Sequence, residues 1–348
     1  MDFVVTRAPF RISFAGGGTD LPSFYQRDYG AVLSTTIDKY VYVMINKCRP
    51  VLNRGVDDPG RYRIRFSYAS TENVQSPDKL RHPIAREALK LLDLDIPMDI
   101  ATMADVPAGT GLGSSASFAV ALLHALHLVK GDKVTREQLA AEAAHVEIDV
   151  LGRPVGKQDH YAAAFGGLNM IHFHAGEGVN VRPVGSLDLA QRRLFPYLML
   201  LYTGVSRDAS TVLFEQRQNI NGLYADLITM RDHAHQLEQM MEGELSVRSF
   251  AEVLHATWMR KRSLASGISN SRIDRWYDRA REAGALGGKL CGAGGGGFLL
   301  LVVEPEHRAA VRRALQELPD LPINYEPQGS QALLPPGQPV SVGHGGTA

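Results

Sequence analysis

The sequence is short of cysteine, of long apolar runs and of excess charge, and each shortage excludes a class of protein. Its 348 residues include only Cys48 and Cys291, whereas small secreted domains held by disulfides use many more. No apolar stretch reaches the ~20 residues that a membrane-spanning helix requires. The opening MDFVVTRAPF lacks the basic and apolar regions of a signal peptide. The expected setting is the cytoplasm.

Charge is balanced, since 37 Lys and Arg residues stand against 37 Asp and Glu residues. Such a chain has no broad electrostatic attraction for nucleic acid or for an anionic membrane. The hydrophobic fraction of 45% and the chain length suit two closely packed lobes. We therefore expect small-molecule partners and neither nucleic acid nor membrane, while a homodimer remains open.

The order of the predicted elements indicates an α+β protein with two lobes. Strand patterns occupy much of the first 75 residues and the segments 98–106, 166–174, 197–204 and 298–304. Helical patterns occupy 83–92, 114–129, 135–151, much of 208–283 and 306–318. We place the lobes at 1–185 and 186–330, and expect the Pro- and Gly-rich residues 331–348 to be disordered.

A glycine-rich loop precedes the helix predicted from Ser114. Gly109, Gly111 and Gly113 alternate in PAGTGLGSSAS, and they let the backbone approach an anion closely. The helix N-terminus adds N–H groups and the positive end of its dipole. The hydroxyls of Ser114 and Ser115 can bind a phosphate oxygen or Mg²⁺. The segment predicts a phosphate site, although it lacks the lysine of a Walker A loop.

A second glycine cluster, Gly292–Gly297, matches the G-x-G-x-x-G pattern of dinucleotide-binding proteins. That pattern requires a following helix, whereas FLLLVVE predicts a strand. The hypothesis of a dinucleotide-dependent oxidoreductase is therefore supported by these glycines alone.

Three motifs together resemble those of the GHMP small-molecule kinases, such as galactokinase, homoserine kinase and mevalonate kinase. The loop is similar to their ATP-binding motif, RAPFRISFAGGGTDLP to their substrate motif, and KLCGAGGGGF to their third motif, across residues 7–298. The resemblance implies a ribosomal-protein-S5-like N-terminal lobe, a ferredoxin-like C-terminal lobe, and the use of ATP and Mg²⁺. It implies ATP contacts at Pro107, Gly109, Gly111, Leu112, Gly113, Ser114, Ser115 and Ala116.

The resemblance also implies the catalytic residues. Asp159 in GKQDHY matches the family's catalytic aspartate, and its alternative role is the N-cap of a helix. Arg11 stands where the family has Lys or Arg, and could orient that base. Ser115 and Glu147 match the family's Mg²⁺ ligands. Asp149 is the rival to Glu147, because residues two apart on a helix face different directions.

The substrate motif departs from the wider family, because three consecutive glycines, Gly16 to Gly18, replace its G-E-H. Together with GRPVGKQDHYAAAFGG, it most resembles the branch that phosphorylates the anomeric hydroxyl of D-glycero-D-manno-heptose 7-phosphate. The product would be a 1,7-bisphosphate on the way to a nucleotide-activated heptose for surface glycans. The expected substrate contacts are Gly17, Gly18, Thr19, Asp20, Lys157, Arg207, Gly294 and Gly295, with Arg153 as a further cation.

Two alternatives stay open besides the oxidoreductase. One is a kinase of the same family for another sugar, such as fucose. The other is a nucleotide-binding protein of this fold without catalysis, against which the presence of Asp159, Glu147 and Ser115 argues.

Overall fold

The computed structural model describes residues 2–47, 63–205, 214–215 and 219–333, and an eight-stranded sheet forms the base of the first lobe. Its strands are β1 Phe3–Ala15, β2 Gly30–Lys47, β3 Ile64–Ser67, β4 Thr71–Val74, β5 Met98–Ala104, β6 Leu168–Phe173, β7 Val179–Pro183 and β11 Gln331–Ala332. The order is β11-β1-β2-β5-β3-β4, and β6 joins β2 to β7. Because β2 is 18 residues long, it pairs with β1 along its length and with β6 and β5 at its two ends.

Five helices accompany this sheet in the described residues: α1 Pro22–Tyr25, α2 Pro83–Leu91, α3 Ser114–Lys130, α4 Arg136–Ala144 and α5 Gln158–Phe165. The middle of α3 is fully buried on every side, which explains why its sequence is apolar all round. The Thr135 hydroxyl caps α4 by accepting a hydrogen bond from Gln138 N at 3.2 Å. The chain then continues as a π-helical segment, His145–Val150.

The second lobe contains β8 Leu198–Tyr202, β9 Ala285–Leu290 and β10 Phe298–Val303 in the antiparallel order β8-β10-β9. Residues 319–321 lie beside β8, where Tyr202 N donates to Pro319 O and Leu321 N to Leu200 O, both at 2.8 Å. This edge completes the predicted ferredoxin-like arrangement. Its helices are α6 Ile220–Glu242, α7 Val247–Lys261, α8 Ser271–Glu282 and α9 Arg308–Ala314.

The segment after residue 321 returns to the first sheet. Tyr325 forms a bridge with Ile37, and β11 pairs with Thr6 and Arg7. The prediction that disorder begins at 331 is thus wrong for Gln331 and Ala332, because the sheet edge satisfies their backbone groups; residues 334–348 lie outside the described part.

The helix predicted at 306–318 is shorter than expected, since a 3₁₀ turn, Pro305–His307, precedes α9 and the chain leaves the helix after Ala314. Among the described residues, no helix combines the length and the apolarity that crossing a bilayer would need.

Candidate active site

The three glycine segments meet at one cleft of about 420 Å³ between the lobes. Twelve of the predicted site residues line it: Arg11, Gly17, Gly18, Asp20, Gly109, Gly111, Gly113, Ser114, Ser115, Glu147, Asp159 and Gly294. They come from β1, from loops of both lobes, from the π-helical segment, and from the starts of α3 and α5. The cleft therefore unites segments that are far apart in sequence.

The glycine-rich loop before α3, residues 107–113, takes the conformation that its glycines permit. Gly109, Gly111 and Gly113 have φ angles of 75°, 82° and 78°, and Gly113 is the residue before α3. These are left-handed values that residues with a Cβ atom rarely adopt. Ser114 and Ser115 form the first turn of α3 and face the cleft, as the sequence predicts for an anion site.

The C-terminal glycine cluster packs its backbone against this loop. A Cβ atom on Gly111 would lie only 2.7 Å from Cys291 O, and Phe298 N donates a hydrogen bond to Thr110 O at 3.2 Å. Because β10 and no helix follows the cluster, the geometry of a dinucleotide-binding fold is absent here. These glycines instead allow the two loops to approach.

Arg11 and Asp159 form a two-point ion pair at the centre of the cleft. Arg11 Nε donates to Asp159 Oδ1 and Nη2 to Oδ2, both at 2.7 Å, and Nη1 donates to Gly111 O at 2.7 Å. The arginine is 5% exposed, whereas the carboxylate side chain is 25% exposed. One guanidinium thus fixes both the carboxylate and the glycine-rich loop.

The alternative role of Asp159 as a helix cap does not fit this geometry. α5 begins at Gln158 and its N-cap residue is Lys157, without a side-chain cap bond. Asp159 lies within the first turn, and its two carboxylate oxygens point to Arg11.

Ser115 and Glu147 lie together, as the resemblance implies. The serine hydroxyl donates to Glu147 Oε2, and Arg153 Nη1 donates to Glu147 Oε2 at 2.6 Å and to Ser115 Oγ at 2.9 Å. His160 Nε2 lies 3.2 Å from Glu147 Oε1. Burial alone would raise the pKa of Glu147, but the hydrogen bonds from His160 and Ser115 and the charge of Arg153 lower it to about 2. The glutamate is therefore buried and ionised.

The π-helical segment directs the side chains of Glu147 and Asp149, the two candidate metal ligands, in different directions. Glu147 is 1% exposed and faces the cleft, whereas the Asp149 side chain is 65% exposed and pairs with His145. Leu151 N donates to Val146 O at 3.0 Å, the wider spacing of a π-turn. The outward direction of Asp149 favours Glu147 as the metal ligand.

Asp20 is a buried carboxylate in the cleft and is 2% exposed. It accepts hydrogen bonds from Gly18 N at 2.9 Å and from Gln158 N at 3.3 Å. Burial, followed by the negative charge of Asp159, raises the pKa of Asp20, although these hydrogen bonds lower it in part.

Several predicted contact residues do not line the cleft. Thr19 is buried and its hydroxyl donates to Gly16 O at 2.7 Å, so it holds the loop together. Lys157 pairs with Glu177 and lies over the Tyr25 ring, because the turn before α5 directs its side chain away. The others outside the lining are Pro107, Leu112, Ala116 and Gly295. Arg207 lies outside the described residues.

Besides Arg11, the described part of the cleft contains three cations: Arg153, which the sequence predicted as a further cation, and two lysines that the motifs do not single out. Arg153 lines it beside Glu147, and two lysines lie in its floor. Lys289 Nζ donates to Ser13 O and Phe14 O at 2.8 and 2.9 Å, and Lys261 Nζ donates to Leu290 O at 3.2 Å and to Gly292 O. The signal for Lys289 was a single lysine in the buried strand pattern GGKL.

Neither lysine has a carboxylate partner among the described residues. Burial lowers the pKa of Lys261 to about 8, and burial together with the charge of Lys261 holds the pKa of Lys289 well below its ordinary value. An ammonium group has three donors, and each lysine uses two of them on backbone carbonyls. In its protonated form, each lysine therefore retains a third N–H donor.

Comparisons with known proteins point to one family of kinases. The family model for the GHMP kinases N terminal domain matches residues 83–167, and that for the GHMP kinases C terminal domain matches 241–320. The D-glycero-alpha-D-manno-heptose 7-phosphate kinase of Campylobacter jejuni is 27% identical, covering 91% of this chain and 94% of that protein. The L-fucokinase/L-fucose-1-P guanylyltransferase of Bacteroides fragilis is 26% identical over 89% of this chain, but over 36% of that longer protein.

Among solved structures, a D-glycero-D-manno-heptose 1-phosphate kinase from Bacteroides thetaiotaomicron has a TM-score of 0.75 and 25% identity, covering 94% of this chain and 98% of that one. The family models and these relatives thus define a small-molecule kinase, a phosphotransferase with an alcohol group as acceptor. The chain belongs to the GHMP kinase family, whose members use ATP as the phosphoryl donor.

Proposed function

We propose that this kinase transfers a phosphoryl group from ATP to the anomeric C1 hydroxyl of D-glycero-D-manno-heptose 7-phosphate. The observation that carries the chemistry is the Arg11–Asp159 ion pair, which faces the glycine loop on one side and Asp20 on the other. A carboxylate fixed between a phosphate site and an acceptor site suits proton abstraction during phosphoryl transfer.

The reaction follows from these positions. Asp159 accepts the proton of the acceptor hydroxyl as its oxygen forms a bond to the γ-phosphorus, and the bond from phosphorus to the β-bridging oxygen breaks to release ADP. Arg11 keeps Asp159 oriented, and its guanidinium offsets negative charge that develops on the transferring group. The glycine loop and the first turn of α3 hold the phosphates of ATP.

The residues near Ser115 fit a magnesium ion. A hydroxyl and an ionised carboxylate are the hard oxygen ligands that Mg²⁺ prefers. When bound there, the ion would neutralise charge on the ATP phosphates. Arg153 contacts both ligands in this structure, so we propose that its guanidinium supplies the balancing positive charge until nucleotide and metal bind.

Two observations favour a heptose phosphate as the acceptor. The relatives named above include heptose phosphate kinases that match 91% and 94% of this chain. The cleft also contains Lys261 and Lys289, which have no carboxylate partner among the described residues. We propose that these lysines favour a substrate that already carries a phosphate, the role that the sequence suggested for Lys157 and Arg207.

The experiment is mass spectrometry of the products from ATP, Mg²⁺ and a panel of free sugars and sugar phosphates, with Asp159→Asn as the control. A bisphosphate formed from the heptose 7-phosphate and absent with the variant is expected. Phosphorylation of fucose or another free sugar instead would refute the heptose assignment, and the similarity to a fucokinase makes fucose a required member of the panel. No transfer to any acceptor would favour a nucleotide-binding protein without catalysis.

A further inference from the structure

Two buried polar atoms in the cleft have no hydrogen-bond partner among the described residues. They are Ser13 Oγ and Gln158 Oε1. Both residues line the cleft, Ser13 from β1 and Gln158 from the first turn of α5. A buried polar atom without a partner costs free energy, so a folded protein keeps such atoms chiefly where something else satisfies them.

The orientation of the Gln158 amide follows from its neighbour. Its side chain forms a hydrogen bond with the Asp20 carboxylate, which lowers the pKa of that carboxyl. An ionised carboxylate can only accept, so the amide NH₂ faces Asp20 and the amide oxygen faces away. The unpartnered atom of Gln158 is therefore an acceptor that requires an incoming donor.

Ser13 and Gln158 lie on either side of Gly17. A Cβ atom at Gly17 would lie 3.5 Å from Gln158 Nε2 and 3.9 Å from Ser13 Oγ. Those are ordinary contact distances, so a larger side chain at this position would occupy the space in front of both groups. Glycine keeps the two groups open to a ligand on the side of the cleft that contains Asp20.

The donors and acceptors of this wall indicate one ligand chemistry. Asp20 and the Gln158 oxygen accept hydrogen bonds, and the Ser13 hydroxyl can accept or donate. Neighbouring hydroxyl groups on a sugar ring supply the donors that this set requires, whereas a carboxylate or a ketone would leave the acceptors unsatisfied.

We propose that Ser13 and Gln158 are specificity-determining residues that bind acceptor hydroxyls beside Asp20. This proposal rests on the proposed function, because it takes the acceptor to be a sugar. Removing a hydroxyl from the substrate and removing its partner from the enzyme should then have the same effect, and the two changes together should cost little more than either one.

The test compares kcat/KM for the acceptor and for its deoxy analogues, one ring hydroxyl removed at a time, in the wild type, Ser13→Ala and Gln158→Met. The acceptor is the heptose 7-phosphate or whichever sugar of the panel the wild type phosphorylates. The wild type should discriminate roughly tenfold against two of the analogues. Each variant should lose discrimination at one position, keep it at the other, and keep the KM for ATP.

Ser34→Ala is the matched control. Ser34 faces Ser13 across β1 and β2 and its hydroxyl also lacks a partner among the described residues, but it does not line the cleft. Its discrimination ratios should equal those of the wild type. Wild-type ratios at every position in Ser13→Ala and Gln158→Met would overturn this inference alone. Failure of the wild type to phosphorylate any sugar would overturn both proposals.

Discussion

The substitution Arg11→Lys should separate the positioning of Asp159 from simple positive charge. Arg11 makes three hydrogen bonds of 2.7 Å, two to the carboxylate of Asp159 and one to Gly111 O. A lysine ammonium retains the charge but cannot reproduce the planar fork. We expect it to keep one of the three contacts.

The expected cost follows from the two lost contacts. A hydrogen bond involving a charged group contributes about 1.5–3 kcal/mol, and the partial exposure of Asp159 reduces that value. We therefore expect the free energy of unfolding to fall by about 2–4 kcal/mol. Because Asp159 would no longer be held in one orientation, kcat should fall about 100-fold, in the range seen when one electrostatic contact to a reacting group is removed.

The assay is the release of ADP at saturating ATP and acceptor, with urea unfolding measured on the same samples. Arg7→Lys is the control, since Arg7 lies on the same strand and donates two hydrogen bonds to Gln331 Oε1, at 2.8 and 3.3 Å, away from the cleft. It should change stability modestly and leave kcat unchanged. A kcat within threefold of the wild type for folded Arg11→Lys would refute the positioning role.

A double-mutant cycle extends the test. If Arg11 acts through Asp159, then Arg11→Lys should lower activity little further in an Asp159→Asn background. Equal losses in both backgrounds would mean that Arg11 acts on the nucleotide or its loop instead.

Three further predictions concern other parts of the cleft. Gly113→Ala and Gly131→Ala should each lower the free energy of unfolding by about 1–2 kcal/mol, because both glycines have left-handed φ angles. Only Gly113→Ala should also lower kcat. Its Cβ would lie 3.3 Å from the Arg11–Asp159 ion pair, whereas a Cβ at Gly131 would meet nothing within 4 Å. Glu147→Gln should raise the Mg²⁺ concentration needed for half-maximal activity roughly tenfold or more, whereas Asp149→Asn should not change it. The pKa of Lys261 is about 8 in the folded state and about 10.5 in the unfolded state, so the unfolded state binds more protons between these values. Between pH 8 and pH 10, the free energy of unfolding of the wild type should therefore rise by about 2 kcal/mol relative to that of Lys261→Met, measured by urea unfolding.

The sequence predicted the elements around the cleft better than the directions of its side chains. Glycine spacing and the apolar pattern gave the loop and the start of α3 within one residue, because local sterics determine both. The prediction that Arg11 orients Asp159 came from the family resemblance, because no local sequence rule brings residues 148 positions apart into contact.

Side-chain directions depend on tertiary contacts that the sequence did not show. Lys157 is next to two cleft residues in the chain, yet Glu177 and Tyr25 hold its ammonium elsewhere. Lys261 ends a helix of the second lobe, where a lysine is ordinarily solvated, but it is buried and its Nζ donates to the carbonyls of Leu290 and Gly292. A residue's position next to a motif therefore predicted poorly whether its side chain lines the cleft.

The charges of the cleft explain why it should favour anionic ligands. Asp159 and Glu147 each have a guanidinium partner, so neither carboxylate is available to neutralise the two buried ammonium groups. Backbone carbonyls stabilise those groups in part, while burial lowers the pKa of both. A phosphate that enters supplies the missing negative charge and should raise the pKa of both lysines. Binding of a phosphorylated ligand then relieves a desolvation cost that folding has already incurred, which would increase its affinity over that of a neutral analogue with the same hydroxyl groups.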